Sequence, residues 1–292
     1  MFTIVFVSLH SESHIKRLTS SIDKKFPIIV IENSFNHELK KELEEKYSNV
    51  KVIIPEKNLG LSGSYNLGIK ESKTEYVFLN PSDVSFSNEC LNSLEECVDN
   101  IKDFTVLAPS YDDERIYKNY EIWNKEKLNQ NLKGDIFKKY KIKEVDFIDN
   151  DFIVNKKNLE KVGFFDENIF LYFETMDFCK QVRIKNEKIY VSENIKFTHF
   201  GSQSHDEKYA YKASLTRSWH YSWSKFYYFR KHFSYFLALK KIMPNFIKSI
   251  KRMIKAKIKK NYKEYNLSKA EILGILNSIF LKKSSYRPYE SE

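Results

Sequence analysis

The chain has 292 residues, 42% of them apolar and 15% aromatic, which is enough to bury a sizeable core and excludes disorder as the starting expectation. Its three cysteines, Cys90, Cys97 and Cys179, form no CxxC pair and leave one over, which argues against a disulfide framework or a cysteine metal site and fits a reducing cytoplasm. The net charge of +10 is confined to the C-terminal part: residues 205 to 292 carry 20 Lys and Arg against 6 Asp and Glu, leaving 29 against 33 for residues 1 to 204. Nucleic-acid binding would therefore have to reside in the tail.

The opening "FTIVFV" reads as a buried strand, because it lacks the basic flank and cleavage site of a signal peptide. No run approaches the roughly 20 apolar residues of a membrane-spanning helix. "IIVIE" (28 to 32), "KVII" (51 to 54) and "YVFL" (76 to 79) are further short strands, and between them "SHIKRLTSSI" and "HELKKELEEKY" carry apolar residues at helical spacing. Such alternation predicts βαβ units, a mainly parallel sheet and a ligand crevice at the carboxyl ends of the strands.

A third helix opens after Gly60 in "NLGLSGSYNLGIKES", whose small residues allow close backbone approach. "NECLNSLEECVDNI" is a fourth helix and "FTVLAPSY" a strand, followed by a charged, Tyr-rich excursion from Asp112 to Glu144. "VDFIDNDFIV" resumes strand character, and Gly163 stops a short helix. "GFFDENIFLYFETMDFCKQVRIKN" holds a turn at Asp166 and then a helix on which Glu174 and Asp177 share a face. "KIYVSENIKFTHFGSQS" reads as strand, turn, strand. From about Tyr209 the pattern is helical: residues 218 to 236 are dense in aromatics, and "FIKSIKRMIKAKIKK" is a basic amphipathic helix.

Taken together, "NLGLSGSYNLGIK", "YVFLNPSDVSF", "GFFDENIFLYFETMDFCKQVR" and "THFGSQS", in this order over about residues 3 to 204, resemble family-2 glycosyltransferases of the GT-A fold, especially a rhamnosyltransferase-like branch. The resemblance implies an α/β, Rossmann-like catalytic domain over residues 1–204 and a basic, aromatic-rich helical extension over 205–292. The activity it implies is inverting transfer of a sugar from a nucleotide-diphosphate donor, of dTDP-rhamnose or UDP-hexose type, to a saccharide or lipid-linked acceptor in surface polysaccharide synthesis. It further implies a divalent cation, Mg²⁺ or Mn²⁺, on the diphosphate, which suits carboxylate ligands.

Residue by residue, the resemblance assigns donor contacts to Ser8, Glu32, Asn58, Gly60, Asn66 and Asn80. The metal falls to Asp83 and His199, with Ser82 the alternative to Asp83 because strict counting from Asn80 reaches Ser82 first. Asp166 is carried over as an acceptor residue. Relatives read Glu-Asp-x-Asp where this chain has Glu174, Thr175, Met176 and Asp177; Thr175 cannot be a base at neutral pH, so the role passes to Asp177 or Glu174.

For each residue a structural role stands beside the functional one: helix capping for Asp83, turn formation for Asp166, Asn58 and Asn66, a surface carboxylate on the Asp177 helix. The tail suggests an anionic membrane surface, an inner-face peripheral location or a homodimer contact. Rival readings are a sugar-nucleotide-binding protein without turnover, a nucleotidyltransferase, and a nucleic-acid module carried by the tail; the last lacks a recognisable sheet platform, so nucleic acid is not an expected partner.

Overall fold

A computed structural model describes residues 1–82, 84–112, 118–128, 130, 132–199 and 206–287, with the backbone alone for Pro81 and His199. The chain divides into two compact units, one comprising Met1–Leu59, Gly63–Phe165 and Thr175–Asp206, the other Gly60–Ser62, Asp166–Glu174 and Glu207–Glu292.

The first unit opens with β1 (Phe2–Ser8), α1 (Glu12–Ser21), β2 (Ile28–Glu32), α2 (His37–Lys46), β3 (Val50–Ile53), α3 (Gly60–Glu71) and β4 (Tyr76–Pro81). β1 and β2 are buried at nearly every position, as expected of parallel strands covered on both faces. β5 (Val84–Ser85), α4 (Asn88–Asn100) and β6 (Val106–Tyr111) follow. Helix α4 starts where Ser87 accepts from the Cys90 amide, so Ser87 supplies its N-cap. In the 112 to 144 excursion lie β7 (Tyr120–Glu121), α5 (Lys125–Leu128), α6 (Asp135–Lys139) and β8 (Ile142–Glu144). Asp146 pins this segment by accepting from the amides of Trp123 at 2.7 Å and Asn124 at 2.8 Å.

"VDFIDNDFIV" is not one strand. It breaks into β9 (Phe147–Ile148) and β10 (Phe152–Asn155) at Asn150 and Asp151, both left-handed with φ of 52° and 48°. Asn and Asp tolerate that region better than other side chains. α7 (Lys156–Val162) ends at Gly163, φ 93°; then come α8 (Glu174–Ile184) and β11 (Ile189–His199). β11 is one strand whose register shifts between Ser192 and Lys196, where a turn between two strands is expected from the sequence.

Among the described residues nine strands form one sheet in the order β3-β2-β1-β4-β10-β6-β11-β5, with β8 on β11. The pairs β3/β2, β2/β1, β1/β4 and β6/β11 are parallel, while β10 runs antiparallel between β4 and β6. The strand order therefore reverses at β1, which has β2 on one side and β4 on the other. Phe2, Phe26, Phe78 and Phe197, all fully buried, join the helices to the sheet.

The second unit is helical: α9 (Ala210–His232), α10 (Tyr235–Ile258) and α11 (Tyr262–Ile279). Trp219, Trp223, Phe226 and Tyr228 of α9 are buried, and a Cβ on Gly274 of α11 would strike the carbonyl of Trp219, so these two helices approach at backbone distance. His220 lies in this interior, with Nε2 2.9 Å from the Tyr286 carbonyl and Nδ1 3.0 Å from the Ser284 hydroxyl. Burial, opposed by the Tyr286 hydrogen bond and aided by Arg287, pushes its imidazole down to about 3. No helix among the described residues is long and apolar enough to cross a membrane.

Candidate functional site

Polar residues end the central parallel strands on one edge of the sheet. Ser8 closes β1 directly beside Glu32, which closes β2. The Glu32 carboxylate is buried and accepts from the Ser8 hydroxyl, from the Ser34 hydroxyl and from the Ser34 amide at 2.6 Å. Three donors thus satisfy the oxygens of that buried side chain. Ser11 donates in turn to Ser8 at 3.1 Å. Asn33, next along, donates to Ser64 and accepts from the Leu59 amide, both at 2.9 Å, which fixes the turn leading into α3. Asn58 is buried in the same turn.

Asn80, near the end of β4, pairs with Phe6 of β1. Its side chain is fully buried: Nδ2 donates to Asp151 at 2.6 Å, and no hydrogen-bond partner among the described residues reaches Oδ1. Asp151 also accepts from the Tyr111 hydroxyl at the end of β6. This Asn80, Asp151, Tyr111 cluster joins three strands across 71 and 40 residues of chain. Sequence reasoning missed Asp151; the signal was an acid just ahead of an apolar strand in "DNDFIV".

Asn66 lies on α3, where its amide donates to the Phe165 carbonyl at 2.9 Å and accepts from the Phe165 amide at 3.0 Å. The side chain holds the backbone that enters the 166 to 173 loop. On α8, Asp177 is fully buried and accepts from Gln181 at 2.7 Å, one turn on. Thr175 donates to Asp149 at 3.3 Å. Asp149, from the β9 to β10 connection, is only partly buried.

Asp83 lies outside the described residues, and of His199 only the backbone is described. Antiparallel pairing of β11 with β5 sets His199 opposite Val84, the residue after Asp83 in the chain. Ser82 is buried. Among the described residues no group of three or more His, Cys, Asp and Glu is arranged to hold a metal ion.

Gly60, Asp166 and Glu174 belong to the second unit. Gly60 has φ +67°, and a Cβ there would collide with the Phe170 carbonyl and ring. The following residues grip the same segment, Leu61 N donating to Phe170 O at 2.8 Å and Ser62 Oγ to Ile169 O at 2.5 Å. Asp166 accepts from the amide and side chain of Asn168 at 3.0 and 2.8 Å, and from Tyr227 and Lys231 at 2.9 and 2.8 Å. Burial raises its carboxyl's pKa, but the Lys231 ammonium and the Asn168 donors outweigh it, and the net shift is downward. Glu174, at the start of α8, is buried, at a helix end that favours negative charge.

The Low-salt glycan biosynthesis hexosyltransferase Agl10 of Haloferax volcanii is 25% identical over 208 residues, spanning 64% of this chain and 63% of that protein. Among solved structures, the mannosyltransferase PcManGT from Pyrobaculum calidifontis, in complex with GDP-Man and Mn²⁺, superposes with a TM-score of 0.56 at 9% identity, covering 97% of this chain and 88% of that one. GalNAc-T7 with UDP, GalNAc and Mn²⁺ gives 0.54 at 10% identity, over 84% and 57%. These likenesses show a GT-A type fold. The family model for Glycosyl transferase family 2 matches residues 3–167, more than half of the sequence, and the chain belongs to that family.

Proposed function

We propose that the protein is a glycosyltransferase that takes a sugar from a nucleotide-diphosphate donor and passes it to a glycan or lipid-linked acceptor hydroxyl with inversion. The observation that carries this reading is the row of Ser8, Glu32 and Asn80 at the ends of three neighbouring strands, where the strand order reverses in a family-2 chain. The Glu32 carboxylate, oriented by two serines, suits a nucleoside, and Asn80 Oδ1, which no described residue hydrogen-bonds, suits a donor hydroxyl. A hexose donor is supported by the hexosyltransferase name of the archaeal relative; a deoxyhexose such as rhamnose is the other candidate.

A divalent cation fits the chemistry of the positions assigned to it. A carboxylate at Asp83 and an imidazole at His199 are of the ligand types that would hold Mn²⁺ or Mg²⁺, and the backbone of His199 pairs with Val84, the residue after Asp83 in the chain. When bound, the ion neutralises charge on the leaving diphosphate.

Deprotonation of the acceptor hydroxyl requires an accessible carboxylate. Asp177 is enclosed and tied to Gln181, and Glu174 is buried, whereas Asp149 keeps exposed surface and is oriented by Thr175. Asp149 therefore takes the base's role in this reading, with Asp177 and Glu174 shaping the helix beside it. Asp166, held by Lys231 and Tyr227, orders the loop assigned to the acceptor.

A thermal-shift screen of UDP-, GDP- and dTDP-sugars with and without Mn²⁺ tests the reading. A metal-dependent rise in melting temperature with one nucleotide class is expected; no shift with any of them would overturn it.

A further inference from the structure

Helix α10 carries two apolar faces. Ala238, Ile242, Ser249 and Ala256 are buried on one side. On the other, Phe236, Met243, Ile247, Ile254 and Ile258 are exposed, at 82, 38, 48, 53 and 78%. These five are spaced by 7, 4, 7 and 4 residues, a repeat that returns to one side of a 3.6-residue helix. They make a stripe about 33 Å long, at 1.5 Å per residue. Lone exposed apolar side chains are ordinary, but an aligned row of five is not, and such rows mark interaction surfaces.

The charges of α10 identify what covers the stripe. The helix holds seven Lys and Arg and no Asp or Glu. Lys251, Lys255 and Lys259 combine with Ile254 and Ile258 to line a shallow apolar groove, so the lysine stems extend the apolar surface and their ammonium groups border it. A second copy docked stripe to stripe would set one all-cationic helix against another, at a cost in like-charge repulsion. An anionic lipid surface instead accepts the isoleucines among its upper acyl carbons and pairs the ammonium groups with phosphates.

We propose that α10 lies in the plane of an anionic bilayer, with Phe236, Met243, Ile247, Ile254 and Ile258 inserted and the flanking lysines on lipid phosphates. The proposal stands apart from glycosyl transfer, since lipid binding is measured without donor or acceptor. Flotation of the full chain with vesicles of phosphatidylcholine containing about a quarter phosphatidylglycerol is the test. Recovery with these vesicles should exceed that with pure phosphatidylcholine by about tenfold and should fall as salt is raised. The Ile254→Ser, Ile258→Ser double variant, whose changes are at exposed positions and whose folding is checked by circular dichroism, should bind about tenfold more weakly. Lys251→Gln with Lys255→Gln should narrow the difference between anionic and neutral vesicles. Equal flotation of wild type and the isoleucine variant, or equal binding to neutral and anionic vesicles, overturns the proposal. So does a wild-type dimer that the isoleucine variant converts to monomer with vesicle binding unchanged, which would identify a second copy as the occupant.

Discussion

Asp151 offers the sharpest measurement in the sheet. Its carboxylate has no exposed surface, accepts from Asn80 at 2.6 Å and from Tyr111, and sits at φ 48°. Asp151→Asn keeps the volume and tolerates the left-handed backbone, so backbone strain drops out of the comparison. The amide provides one oxygen where the carboxylate provided two, so one hydrogen bond loses its carboxylate acceptor and the other donor is left facing an NH2 group. At about 1 kcal/mol lost per bond, a destabilisation of about 2 kcal/mol is expected. Asp151→Ala removes both acceptors, at about 1 to 3 kcal/mol for each donor that loses one, and adds about 1 kcal/mol for a left-handed alanine, so that about 3 to 7 kcal/mol is lost. Urea denaturation followed by circular dichroism measures both. Because Asp151 also sets which way the Asn80 amide faces, the Asn variant should weaken nucleotide-sugar binding beyond its effect on stability. A loss below about 0.5 kcal/mol for Asp151→Asn, or an alanine variant no worse than the asparagine one, would refute the argument.

Gly60→Ala should cost about 3 kcal/mol, from left-handed strain and displacement of the Phe170 carbonyl that accepts from Leu61, whereas Gly63→Ala, whose Cβ would press on the Leu59 Cβ at 3.0 Å without left-handed strain, should cost less, about 1 kcal/mol by thermal unfolding. His220 ties stability to acid: its folded value near 3 lies below the unfolded 6.5, so its contribution is complete above pH 6.5 and is lost as pH falls from there toward 3. Between pH 7 and 5 this is a loss of roughly 2 kcal/mol, absent in His220→Gln, and the stability gap between wild type and variant should narrow over that interval. Asp149→Asn should lower transfer by about 10²-fold or more with donor affinity retained, and Asp177→Asn should act chiefly on melting temperature; single-turnover kinetics with the donor found by screening separates the two outcomes.

Much of the fold is legible in the sequence because its signals are local. Alternating short strands and amphipathic helices encode the sheet and its covering layers, whereas Ser8, Glu32 and Asn80 are picked out by the resemblance to family-2 glycosyltransferases, each lying at or near the end of an apolar run. The same locality explains the aromatic face of α9 and the basicity of α10. What the pattern cannot encode is which polar groups meet across the sheet. β10 enters antiparallel between β4 and β6, and the left-handed turn at Asn150 and Asp151 aims an acid at an asparagine 71 residues away.

The same turn region brings Asp149 to Thr175, where a motif read along the chain finds only a missing base. In α10, spacing marks an amphipathic helix but does not say that apolar residues occupy both sides. That follows from the neighbours that bury Ala238, Ile242 and Ala256, leaving Phe236, Ile254 and Ile258 at the surface. Periodicity along the chain determined the elements; sheet order, one left-handed turn and the burial of a single helix face decided where their chemistry lies, because those depend on contacts between residues far apart in sequence.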